Sequence, residues 1–300
     1  MKAILFDDYG PASVLRYDDA PDPAPGEGEA LVRVAATSVN PVDVKIRSGA
    51  VRDRMPVDLP SIPGVDVAGE VLALGSGVTS LKVGDRVMGM ASGTYAELCL
   101  VKADAVTLVP EGLDVEDAAT LPLVTVTGYQ LVRESAKAQA GQRILVTGAL
   151  GAVGRSAVFA ASGLGCHVIA GVRGRQSAEA AALPGVDEVI AIDDDAAIAA
   201  LAPVDAVADA VGGEVATKTI RRVREGGVFG TAVRGPYEQA GVEVNALFAH
   251  ADAATIRRYA EAVRDGVLTI PRGPSFLLRD AAVAQEAATA GGTGKVVLTV

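Results

Sequence analysis

The chain is poor in the residues that hold metals and disulfides: among 300 residues there are two cysteines, Cys99 and Cys166, and two histidines, His167 and His250. Neither pair forms a C-x-x-C or H-x-x-x-H spacing, so a disulfide framework and the usual structural zinc site both lack ligands. No apolar run approaches membrane-spanning length, and residues 1–10 lack a basic segment followed by an apolar one. A soluble, cytoplasmic protein with no membrane partner is expected. Positive charge is also in deficit, with 27 Lys and Arg against 37 Asp and Glu and a net charge of −10. The basic residues are scattered, which argues against a nucleic-acid partner. Internal repeats and low-complexity linkers are missing as well. What is plentiful is apolar surface: 50% of the residues are hydrophobic, enough to fill the cores of roughly two domains.

The most informative stretch runs over residues 143–154, Arg-Ile-Leu-Val-Thr-Gly-Ala-Leu-Gly-Ala-Val-Gly. An apolar run with a β-branched end reads as a buried parallel strand, and Gly148, Gly151 and Gly154 then lead into an Ala/Val-rich helix. Glycines suit a turn that needs unusual φ, and they let backbone approach a pyrophosphate that the helix N-terminus attracts. The spacing departs from G-x-G-x-x-G because Ala149 and Leu150 separate the first two glycines. By itself the loop is compatible with a plain strand-to-helix connection.

Up to about residue 110, strands are expected over residues 2–6, 30–36, 66–74, 85–90 and 96–101, with Pro- and Gly-rich turns between them. This predicts a compact, mostly antiparallel β domain. Residues 40–49 (Asn-Pro-Val-Asp-Val-Lys-Ile-Arg-Ser-Gly), residues 62–69 (Ile-Pro-Gly-Val-Asp-Val-Ala-Gly) and residues 83–87 (Val-Gly-Asp-Arg-Val) resemble the medium-chain dehydrogenase/reductase superfamily, specifically its zinc-free quinone oxidoreductase branch. The resemblance covers nearly the whole length. It implies a GroES-like β-rich catalytic domain and a Rossmann-type doubly wound parallel sheet. Zinc-dependent relatives place a cysteine ligand where this chain has Asn40, and Gly-His-Glu where it has Gly64-Val65-Asp66, so no metal is expected. Read without the family, Asn40, Pro41 and Asp43 make a turn with local capping, and Lys45 is a solvated lysine. Quinone oxidoreductases often carry tyrosines at the positions aligned with Lys45 and Val51, whereas enone and alkenal reductases share the Asn-Pro-x-Asp-x-Lys pattern.

Beyond Pro110 the register changes to alternating helices and strands, which predicts a parallel doubly wound sheet and puts the glycine loop between its first strand and first helix. Gly148, Gly151, Ala152, Val153 and Gly154 are accordingly the candidate pyrophosphate seat. Residues 121–129 resemble the family segment beside the nicotinamide, and Thr127 is the candidate contact; its alternative is a helix N-cap. An NAD site offers a carboxylate about twenty residues past the loop. Here residues 171–175 read Gly-Val-Arg-Gly-Arg, so Arg173 and Arg175 point to a 2′-phosphate and to NADP(H). Val211 and Val233 end the fourth and fifth expected strands, residues 205–211 and 228–233, and are cofactor candidates by position. Cys166, His167 and His250 read as structural. Asp193, Asp194 and Asp195 lack the glycine and distal Glu of a calcium loop and read as a turn capping the next helix.

The chain then returns to the β domain. The expected division is residues 1–115 with 268–300, and residues 116–267. Gly292, Thr293, Gly294 and Lys295 read as a turn before a last strand. The resemblance implies hydride transfer from NADPH to a quinone or an α,β-unsaturated carbonyl compound, with Lys45 and Asn40 beside the developing oxyanion, and a homodimer. Tyr95 and Tyr129 are possible proton donors without a distinguishing context. Two other classes remain open: a cofactor-binding relative with little turnover, and a zinc-independent NADP-linked alcohol dehydrogenase.

Overall fold

A computed structural model describes residues 1–292 and 294–300; the part of the expected turn that falls on Thr293 lies outside the described residues. The chain forms two compact units, Met1–Leu123 with Ala251–Asp265 and Ile270–Val300, and Val124–His250 with Gly266–Thr269.

In the first unit a seven-stranded sheet has Glu29–Ser38 near its middle, paired antiparallel with Asp66–Leu74, Leu98–Lys102 and Lys295–Thr299. Only Arg272–Leu277 runs parallel to its neighbour, Lys295–Thr299. Alternation explains the pleat: Val32 and Val34 turn inward onto Val67, Val71, Val87 and Val101, while Arg33 is exposed. A second core of Ile4, Tyr95, Leu278, Ala284, Val296 and Leu298 lies against the C-terminal helix Ala281–Ala290. Helix Ala253–Arg264 groups with this unit, and Arg257 Nη1 donates to the Leu108 carbonyl at 3.1 Å. The expected division therefore differs from the observed units in three places: the chain passes between them after Leu123 and not at residue 115, residues 251–265 belong with the β sheet, and the last return begins at Ile270 and not at residue 268.

The second unit is a six-stranded sheet, all parallel, in the spatial order Glu188–Ala191, His167–Val172, Arg143–Thr147, Val204–Asp209, Val223–Thr231, Glu243–Ala246. In chain order that is 3-2-1-4-5-6, the doubly wound arrangement whose ligands lie beyond the carboxyl ends of the strands where the order reverses. Both faces are buried. Ile144, Val146, Val168, Ala170, Ala206 and Ala208 pack toward helix Ala152–Gly163, and Leu145, Ile169, Val207 and Phe229 face Ile198, Ala216 and Ile220 on the other side. This two-sided burial is why these strands read as continuous apolar runs. The sixth strand, Glu243–Ala246, lies in residues 242–248, Val-Glu-Val-Asn-Ala-Leu-Phe, which carried no strand expectation. Among the described residues no helix is long and apolar enough to cross a membrane.

Candidate functional site

The glycine loop lies at the reversal point of the parallel sheet. Strand Arg143–Thr147 ends in Gly148, whose φ of 67° is in the left-handed region that glycine enters without cost to a Cβ. Helix Ala152–Gly163 begins directly afterwards, with Gly151 as its N-cap and no side chain capping it. Its first N–H groups therefore point out of the helix without an intrahelical acceptor. A Cβ on Gly154 would overlap the Gly148 carbonyl oxygen, so the third glycine is what lets the helix seat on the turn. Ala152 and Val153 are half-buried in that first turn, and Gly151 is exposed. These donors, unobstructed backbone and the helix dipole fit a dinucleotide pyrophosphate.

Thr127 lies within helix Pro122–Gln130 and is not an N-cap. That helix contacts the glycine-loop helix at Gly128, where a Cβ would overlap Ser156. Arg173 follows the second strand, and Arg175 lies in the short helical turn Gly174–Gln176. Both guanidinium groups are exposed and form no ion pair among the described residues. A carboxylate does stand beside this turn: Asp193 Oδ1 accepts the Gly174 N–H at 2.7 Å. It comes from beyond the third strand, which is why inspection of residues 171–175 missed it. Asp194 caps helix Asp195–Ala200 by accepting from the Ala196 N–H, as expected of that acidic turn. Val211 is 42% exposed, and Val233 is half-buried past the end of the fifth strand. The His250 backbone N–H donates to Gln130 Oε1 at 3.0 Å.

In the first unit, residues 40–47 form a helix, Pro41–Arg47, with Asn40 as N-cap and proline at its first position. The Asp43 carboxylate reaches back, its Oδ2 accepting the Asn40 N–H at 2.8 Å, one half of a capping box. Asp43 and Arg47 occupy the buried face at i, i+4 spacing, and Lys45 projects into solvent from the other. Among the described residues the Lys45 ammonium has no ion-pair partner.

Beneath this helix lies a buried polar network. Asn40 donates from Nδ2 to Asp66 Oδ2 at 2.8 Å and accepts at Oδ1 from Lys295 Nζ at 2.6 Å. Lys295 also donates to the Val39 carbonyl at 3.0 Å and lies 3.8 Å from Asp66. Asp66 further accepts from Ser38 Oγ at 2.6 Å and from the Leu123 N–H at 2.8 Å. The Tyr95 hydroxyl donates to Asp43 Oδ2 at 3.2 Å, and Asp43 Oδ1 has no partner among the described residues. Burial of Asp43 raises its carboxyl to about 7, against the opposing effect of the Asn40 N–H. Burial also lowers the Lys295 ammonium and, with Asp43 beside it, pushes the Tyr95 phenol well above its usual value. Tyr95 is 0% exposed, so its proton serves Asp43. Lys295, Asp66 and Tyr95 had no linear signal as a cluster: Lys295 is 255 residues from Asn40.

A family model of the alcohol dehydrogenase GroES-like domain matches residues 26–111, and one of zinc-binding dehydrogenases matches residues 184–298. The chloroplast envelope quinone oxidoreductase homolog of Arabidopsis thaliana is 36% identical over 200 residues, 63% of this chain and 60% of that protein. The quinone oxidoreductase of Lama guanicoe is 38% identical over 193 residues, 63% of this chain and 58% of that protein. The chain thus spans less than two thirds of these curated relatives. The solved structure of the quinone oxidoreductase from Coxiella burnetii has a TM-score of 0.88 and 32% identity, over 100% of this chain and 99% of that one. With its β-rich unit, its parallel sheet in 3-2-1-4-5-6 order and these similarities, the chain belongs to the medium-chain dehydrogenase/reductase superfamily, in its quinone oxidoreductase branch.

Proposed function

We infer that the protein is an NADPH-dependent oxidoreductase that reduces a quinone or an α,β-unsaturated carbonyl compound. The observation that carries this reading is the uncapped helix N-terminus behind Gly148 and Gly154, at the reversal point of a parallel sheet. The nicotinamide dinucleotide, when bound, supplies a hydride. The first-turn N–H groups of Ala152, Val153 and Gly154 bind the pyrophosphate, Thr127, Val211 and Val233 contact the rest of the dinucleotide, and Arg173 and Arg175 hold the 2′-phosphate. The two unpaired guanidinium groups favour the phosphate, because a ribose hydroxyl offers them no charge to neutralise. Asp193 is engaged by the Gly174 N–H and is the feature that opposes this preference.

As the substrate carbon gains the hydride, negative charge collects on its oxygen. Lys45 is the electrophile of this proposal, an unpaired ammonium on the exposed face of a helix fixed from below. Asn40 contributes by position: with its amide held by Asp66 and Lys295, it sets where the helix starts. The final proton comes from the Lys45 ammonium or water. Assignment as a homodimer rests on family resemblance. The test is NADPH oxidation over a panel of quinones, enones and simple alcohols. Turnover on quinones or enones is expected; saturable dinucleotide binding without turnover on any of them would leave a binding protein, and alcohol-dependent NADP reduction alone would leave an alcohol dehydrogenase.

A further inference from the structure

The carboxyl ends of the three central strands are joined by one buried carboxylate. Thr147, Asp209 and Thr231 stand side by side in register on strands Arg143–Thr147, Val204–Asp209 and Val223–Thr231. Asp209 is 0% exposed, and its hydrogen-bond donors are hydroxyls and backbone amides. Its Oδ1 accepts from Thr147 Oγ1 at 2.7 Å, the Val211 N–H at 3.2 Å and the Gly212 N–H at 3.1 Å. Its Oδ2 accepts from Thr231 Oγ1 at 2.7 Å and from the Gly212 N–H at 3.2 Å. The two hydroxyls extend the network. Thr147 Oγ1 accepts the Ala210 N–H at 3.1 Å, and Thr231 Oγ1 accepts the Val233 N–H at 3.0 Å. Packing follows the same lines, since a Cβ on Gly148 would lie 2.9 Å from Val211 Cγ2, and one on Gly212 would overlap Val233.

We propose that Asp209, acting through Thr147 and Thr231, is a positioning residue for dinucleotide binding, fixing the three loops that carry Gly148, Val211 and Val233. This rests on the cofactor reading above. A buried anion surrounded by O–H and N–H donors orients every one of them, because each donor must aim at it to offset its lost hydration. A neutral amide does this less well: in Asp209→Asn a side-chain NH2 in place of Oδ2 would face the Gly212 N–H, the Thr231 hydroxyl would turn from the carboxylate to the Val233 carbonyl at 2.9 Å, and the charge that strengthens every one of these bonds would be gone. Valine in place of either threonine keeps the shape and removes the hydroxyl that links carboxylate to loop.

The experiment is titration of NADPH and NADH into wild type, Asp209→Asn, Thr147→Val, Thr147→Ser, Thr231→Val and Thr231→Ser, each checked for folding by circular dichroism. Folded Val variants should bind the preferred cofactor about tenfold more weakly, the equivalent of one charge-assisted hydrogen bond, and the Ser variants should bind as wild type does. Asp209→Asn should weaken binding as well, through the lost charge. If wild type binds and the folded Val variants bind equally well, the positioning role is overturned while the cofactor reading stands. Equal loss in Ser and Val variants would also overturn it, because it would make packing the cause. If wild type binds neither dinucleotide, both readings fall.

Discussion

Replacing Asp43 by Asn separates the charge of the buried network from its geometry. The amide oxygen introduced there would still accept the Asn40 N–H and the Tyr95 hydroxyl, the two donors now shared by Asp43 Oδ2. The NH2 group would take the place of Oδ1, which has no partner to lose. The charged and titratable groups facing this position are Asp66, Lys295 and Tyr95. The carboxyl stands at about 7 in the folded protein against 3.8 for the unpaired group. Between these values the folded state holds a proton that the unfolded state has released, so stability falls as pH rises. Asp43's contribution is fully present below 3.8 and is lost as pH rises through about 7. A gap of about three pH units, at about 1.4 kcal/mol each, amounts to about 4 kcal/mol. Lys295 has the opposite slope, since its lowered ammonium loses stability as pH falls below 10.5; Asp66, the larger of the two carboxylates that oppose this lowering, is kept in both proteins. Urea unfolding of wild type and Asp43→Asn from about pH 4 to about pH 8 isolates the difference. The stability of the Asp43→Asn protein relative to wild type should rise by about 4 kcal/mol over this range, with most of the change complete by about pH 7. Parallel pH profiles for the two proteins would refute the assignment of a buried, protonated Asp43.

Lys295→Met should cost about 3–5 kcal/mol in urea unfolding, because Asp66 would remain buried with the cation beside it gone and Asn40 Oδ1 would lose its donor; a loss under about 1 kcal/mol would contradict the network. Gly151→Asp should abolish dinucleotide binding in a titration, since its carboxylate would stand at the helix N-terminus that attracts the pyrophosphate, while leaving the urea midpoint near wild type. The double substitution Arg173→Ala with Arg175→Ala should weaken NADPH at least about tenfold and leave NADH unchanged; equal affinities of the wild type for the two cofactors would refute the preference outright.

Much of the architecture was legible because the signal is periodic and local. Strand Asp66–Leu74 and the start of helix Ala152–Gly163 fall where the apolar pattern and glycine spacing put them. The parallel sheet follows from runs such as Ile144, Leu145 and Val146, whose alternate residues serve opposite cores. Boundaries were less legible: Val211 lies beyond strand Val204–Asp209, because Asp209 draws the following N–H groups out of the ladder. Among the candidate residues of the two units, the glycine loop and the Asn-Pro-Val-Asp-Val-Lys segment announce themselves as contiguous residues. Asp66, Lys295 and Asp209 do not, since an isolated Asp or Lys reads as solvated until the fold removes its water and supplies partners from distant strands. Tyr95 shows the same limit: as a sequence position it was a possible proton donor, and only its burial against Asp43 gives it another role.

Hydride transfer from a nicotinamide to a conjugated substrate is tested most directly by the fate of a label. The protein would be given NADPH deuterated at the transferring position of the nicotinamide together with a simple enone, and the product analysed by mass spectrometry and NMR. Deuterium is expected at the β-carbon of the saturated ketone, with the Lys45→Ala protein forming it about 100-fold more slowly. Enone reduction that leaves that carbon unlabelled, or no reduction of enones or quinones by protein that binds NADPH, would contradict the proposed reaction.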